Sequence, residues 1–163
     1  MKRRLTILVP TLVGLTLLAG SAGAGTSLPM KGSDVGTFDI PGPCTGAGLE
    51  IVIAGEGTAT HLGRYSYSAD ECFDPATGTF AGHPIFTAAD GDQLWGHYTG
   101  QVAPTSDPNV IAYTEVLTIT GGTGRFVGAS GEVLVEGLAN LATGEYSQKL
   151  RGQISNLGLV RSA

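Results

Sequence analysis

From Ser33 onward, apolar and polar residues alternate with a period of two in short runs, and Gly, Pro, Asp or Asn interrupts each run. That period puts successive side chains on opposite faces of a strand, and no stretch of the region repeats with the 3.6-residue period of a helix. The pattern predicts eight strands, at about 34–40, 48–54, 58–70, 79–88, 92–100, 110–120, 131–141 and 145–155. The interruptions read as hairpin turns: Glu56-Gly57, Asp90-Gly91, Thr143-Gly144 and the longer Asp74-Pro75-Ala76-Thr77-Gly78. Pro104 to Asn109 is the one polar loop, too short to link two domains.

Consecutive antiparallel strands of this length form a meander, and eight of them can close into a barrel that leaves no sheet edge exposed. A two-sheet sandwich is the alternative. Glycines inside the runs, at Gly63, Gly82, Gly96, Gly137 and Gly152, favour the barrel, whose strands must bend sharply. The predicted fold is therefore all-β, an eight-stranded antiparallel β-barrel over residues 34–163. An eight-stranded barrel is just wide enough inside to be filled by side chains or to hold one small ligand.

The first 24 residues belong to a different kind of segment. Met1-Lys2-Arg3-Arg4 precedes the apolar run Leu5 to Leu18, and Ala22-Gly23-Ala24 supplies the small residues of a cleavage site. This predicts a signal peptide over 1–24, a mature chain from Gly25, a flexible lead-in over 25–33 and a secreted, extracellular protein. Ser21 follows Leu18-Ala19-Gly20 where a lipoprotein would need Cys, and the apolar run is shorter than the ~20 residues of a spanning helix, so no membrane anchor is expected.

Composition agrees with strands and turns. The chain holds 26 glycines and 18 threonines but only three lysines, and charged residues make up 14% against a usual ~25%. Collagen is excluded because the glycines have no three-residue period, and wholesale disorder because 42% of residues are hydrophobic. Three of the nine basic residues lie in the leader, which leaves six cations against fourteen acids, a net charge of −8. The six are scattered, so the clustered cations that bind phosphate backbones or anionic membranes are missing and nucleic acid is not an expected partner. Cys44 and Cys72 are the only cysteines; in an exported chain an even count reads as a disulfide.

Thr120-Gly121-Gly122-Thr123-Gly124-Arg125-Phe126-Val127-Gly128-Ala129-Ser130-Gly131 is the most distinctive stretch. It is neither a dinucleotide fingerprint nor a P-loop: the spacing is GxGxxxG, no Gly-Lys follows, and a strand pattern comes next where a helix would be needed. Gly121, Gly122, Gly124, Gly128 and Gly131 read as a structural corner plugged by Phe126. This stretch resembles the glycine-rich segment of the dirigent and allene oxide cyclase superfamily. Gly57-Thr58-Ala59-Thr60-His61-Leu62-Gly63-Arg64 resembles small secreted bacterial proteins with an allene-oxide-cyclase-like barrel. The resemblance covers most of residues 34–155 and implies an eight-stranded antiparallel barrel, often a homotrimer, that handles hydrophobic substrates without a cofactor. In that superfamily, cyclases rearrange a fatty-acid allene oxide and dirigents orient phenoxy radicals made by another enzyme. Residue by residue, only the glycine-rich corner carries over.

Alternation nominates candidate site residues. Along 110–120 one face carries Ile111, Tyr113, Glu115, Leu117 and Ile119, apolar except for one carboxylate. Glu115 there pairs with a cation such as Arg64 or Arg151, points outward, or serves as an acid or base or a ligand contact. It is the candidate catalytic residue. Tyr146 and Gln148 on the last strand, with Leu94 and Tyr98 on the fifth, extend the candidate ligand-binding set to Leu94, Tyr98, Tyr113, Glu115, Tyr146 and Gln148, each of which an ordinary core would also explain. His61, His83 and His97 have no spacing that enforces a metal site, His83-Pro84 reads as a loop edge, and Asp90-Gly91-Asp92 reads as a turn, so no metal and no cofactor is expected. The sequence therefore points to a secreted barrel that binds a small hydrophobic molecule. The alternatives are a cofactor-free isomerase or cyclase and a non-catalytic extracellular interaction protein.

Overall fold

The computed structural model describes residues 26–44, 48–155 and 157–158; the predicted signal peptide over 1–24 lies outside the described residues. Eight strands form a closed barrel in chain order: β1 (Leu28–Pro43), β2 (Leu49–Ala59), β3 (Gly63–Asp74), β4 (Thr79–Ala88), β5 (Gln93–Pro104), β6 (Val110–Gly122), β7 (Ser130–Asn140) and β8 (Glu145–Ser155). Every neighbour is antiparallel, and β1 pairs with both β2 and β8 to close the ring. Two one-residue bulges, on β1 between Asp39 and Gly42 and on β6 opposite Trp95–Gly96, bend the sheet.

Three sequence readings need correction. The lead-in over 25–33 is ordered strand from Leu28, because Leu28 to Ser33 pair with Ile154 to Lys149 of β8 at the barrel seam. Glu56-Gly57 is not a turn; both lie within β2, which continues to Ala59, and the chain reverses through Thr60 to Leu62, where His61 takes a left-handed φ of 70° and Gly63 one of 68°. His83-Pro84 is not a loop edge. Pro84 sits inside β4 facing the core, and the ladder to β5 is interrupted beside it because proline has no N–H to donate.

Alternation sends one face of every strand inward, and the interior has two halves. At one end Met30, Leu62, Leu94, Leu117, Ile119, Phe126, Val133, Leu150 and Ile154 form a sealed apolar plug. Rings fill the middle: Phe86 packs on Tyr65 and Tyr67 with centroids 5.4 and 5.1 Å apart, and Phe80 lies edge-on to Tyr98 at 6.0 Å. Inward-facing glycines make room for the rings. A Cβ on Gly82 would meet the Tyr98 phenol, and one on Gly137 would meet that of Tyr113. Gly96 and Gly152 instead press on the backbone of the neighbouring strand, the close approach expected of a tightly coiled sheet.

The glycine-rich corner caps the sealed end. It forms one turn of 3-10 helix at Gly124–Phe126, and Phe126 is fully buried. Arg125 ties three turns together: its guanidinium pairs with Asp90 and, at 3.0 Å, with Asp92, and it donates to the carbonyls of His61 (3.2 Å) and Leu62 (3.3 Å). Asp90-Gly91-Asp92 is thus a hairpin turn whose carboxylates hold an arginine. Among the described residues the opposite end is open. There the Cys44–Cys72 disulfide, Cα–Cα 5.9 Å, fastens the chain leaving β1 to β3.

Candidate functional site

β1, β3, β5 and β7 run toward the open end, and β2, β4, β6 and β8 start there. Inward residues near those strand ends surround a cavity of about 140 Å³. Its wall is mostly apolar, with Phe38, Ile53, Phe73, Val102 and Ile111 among its residues, while Ile40 and Leu141, each about half exposed (51% and 53%), stand at the rim. Tyr67, Tyr113, Tyr146, Gln148, Glu71 and Glu115 supply the polar atoms.

Two buried carboxyls, Asp34 and Glu115, and the half-buried Glu71 lie in or beside this space. Asp34 of β1 accepts from the Tyr65 hydroxyl (2.6 Å) and Gln148 Nε2 (3.1 Å), and Gln148 Oε1 in turn accepts from Tyr113 (2.9 Å). The other Asp34 oxygen, Oδ1, and the Tyr146 hydroxyl are buried with no hydrogen bond of ordinary geometry, although the phenol lies near enough to favour the carboxylate. Burial raises the Asp34 pKa, and these donors oppose the rise. Glu71 of β3 accepts from the Tyr98 hydroxyl (2.9 Å); burial pushes it up to about 7 against that bond. Glu115 of β6 is 6% exposed and has no hydrogen-bond or ion-pair partner among the described residues. Burial, then the charges of Glu71 and Asp34, push it up to about 8. Such groups can donate or accept a proton at neutral pH.

Among the predicted site residues, Tyr113, Glu115, Tyr146 and Gln148 do meet at this cavity. Glu115 points inward, and neither suggested arginine neutralises it: Arg151 pairs with Glu136 on the outer surface, and Arg64 is exposed. Tyr98 sits behind the wall and holds Glu71. Leu94 does not belong to the site. β5 enters the barrel at the sealed end, so its first inward residue joins the plug, far from the mouth. Sequence reasoning missed Glu71 and Asp34. Glu71 carries the same signal as Glu115, since Tyr65, Tyr67, Ala69, Glu71 and Phe73 alternate as one face. His83 and His97 lie on the outer wall and His61 in a turn at the sealed end, and no group of three metal-binding side chains forms among the described residues.

No protein-family model matches the sequence, and no curated protein resembles it in sequence. Among solved structures, the chain is similar to that of the pterocarpan synthase dirigent protein GePTS1. The TM-score is 0.55 at 14% identity, and the match covers 88% of this chain and 99% of that one. With the closed antiparallel ring and the capped glycine-rich corner, this likeness identifies the fold as the dirigent-like eight-stranded barrel.

Proposed function

We propose that the chain is exported by its N-terminal leader and that the mature barrel binds a small hydrophobic molecule in its open end. The observation that carries this reading is the 140 Å³ cavity, with apolar walls and a few convergent polar groups, the usual make-up of a small-molecule site. Its volume is close to that of an apolar cavity that takes up benzene, about 150 Å³, so it suits one ring, with the rest of a longer molecule leaving past Ile40 and Leu141. The disulfide agrees with export.

A second reading, a cofactor-free isomerase or cyclase, draws on Glu115, a carboxyl that titrates near neutrality beside an apolar space and could move a proton on a bound substrate. An interaction role, including the homotrimer that the resemblance implies, would use the exposed apolar residues Val116, Leu134 and Leu138 on adjoining outer strands.

Mass spectrometry of the gently extracted mature protein tests the first reading. The expected result is a co-purifying small molecule, lost from an Ala139→Trp variant that fills the cavity but keeps the β-sheet signal in circular dichroism. A protein that carries nothing, and takes up no member of a panel of small aromatic and lipid compounds, overturns it.

A further inference from the structure

Among the described residues, every charged side chain that faces the barrel interior is acidic. Asp34 enters from β1, Glu71 from β3 and Glu115 from β6, whereas every described Lys, Arg and His lies on the outer wall or in the turns of the sealed end. Asp34 and Glu71 are held by hydrogen bonds from Tyr65, Gln148 and Tyr98. Glu115 alone among them has no partner in the described residues, although it is more than nine-tenths buried and lines the cavity. Around it stand Tyr67, Phe80, Tyr113 and Tyr146, with Phe38 and Phe73 nearer the mouth. Aromatic faces carry partial negative charge and attract cations. Rings and carboxyls therefore give the pocket one sign of potential.

We infer that the occupant of this cavity is a small lipophilic ammonium ion, its charged head at Glu115 among the tyrosine rings and its apolar body against Phe38, Ile53, Phe73 and Ile111. The inference rests on the reading that the cavity binds a small hydrophobic molecule, and names the chemistry of that molecule. A carboxylate guest would enter a site whose charged groups are all acidic, with no described cation to meet it. A neutral guest can pair with Glu115 only while that carboxyl keeps its proton, and leaves a buried charge unanswered once it ionises above about pH 8. A bare metal ion would need more oxygen ligands than a largely apolar wall provides. An ammonium head answers Glu115, and its hydrocarbon body suits the rest. In the free protein burial keeps Glu115 and Glu71 partly protonated at neutral pH, so an incoming cation must displace a proton. Affinity then rises with pH until the amine itself loses its charge.

Isothermal titration of the mature protein with three probes of one ring size, benzylammonium, benzyl alcohol and benzoate, tests this. Near pH 8 benzylammonium should bind about tenfold more tightly than benzyl alcohol, and benzoate should not bind. Its affinity should fall about tenfold on going from about pH 8 to about pH 6, while that of the alcohol stays level. Glu115→Gln should erase the preference for the amine over the alcohol and flatten the amine's pH profile. Should that variant fail to fold, the wild-type pH series decides alone. A flat profile for benzylammonium, or an alcohol or benzoate that binds as tightly, overturns the charge assignment and leaves the hydrophobic site standing. Failure of all three probes to bind overturns the ammonium assignment, while the hydrophobic site falls only if the extracted protein also carries nothing and takes up no member of the wider panel.

Discussion

At the scale of single residues, Glu115 links the chemistry of the site to the stability of the fold. Its pKa in the folded protein, about 8, lies above the 4.5 of a free glutamate, and that of Glu71 is raised to about 7. Between pH 4.5 and 8 the folded state thus holds more protons than the unfolded chain, and stability must fall as pH rises through that window. Urea denaturation across the window should show a loss on the order of a few kcal/mol in the wild type and a shallower decline in Glu115→Gln. A wild type that gains stability with rising pH would refute the assignment. Glu115 is legible in the sequence because four apolar or aromatic residues share its face. Glu71 has the same alternation, but the neighbouring Asp70 makes the pair look like the exposed lead-in to the Asp74 turn. Asp34 lies between Gly32 and Gly36, which carry no hydrophobic signal; β2 and β8 bury it from either side.

Among the elements, the β6–β7 corner holds the sealed end together through Arg125 and the buried Phe126. Gly124 has a left-handed φ of 51°, and a Cβ there would run into the Asp92 carboxylate that Arg125 needs. Gly124→Ala should destabilise the barrel by at least about 2 kcal/mol, read from urea denaturation, while a folded variant keeps its affinity for ligands at the other end. Lost binding with unchanged stability would move the corner from architecture to function. Local pattern placed all eight strands, since each alternates over its own length. The limits of β1 and β2 were hidden because distant partners set them: the start of β1 is strand through its pairing with β8, and β2 outlasts Glu56-Gly57 because Gly57 faces Asp34 across the β1–β2 pair. No sequence period encodes where a barrel closes.

For the molecule as a whole, the plug and corner seal one end, and the disulfide secures the rim of the other. Closing a 28-residue loop stabilises the fold by about 3–4 kcal/mol on the chain-entropy model. Protein collected from the medium should begin at Gly25 with both cysteines oxidised, as intact mass reports, and reduction should lower its unfolding free energy by that amount. A retained leader or free thiols would contradict the export reading. The rings that shape the cavity rest partly on residues that have no side chain. At Gly137 the nearest atoms to an added Cβ all belong to Tyr113. Replacing that glycine would force the ring to move and so reshape the cavity while every lining residue stayed the same. A barrel built this way has a second set of positions through which a lineage, or an engineer, can recut the pocket from behind its wall.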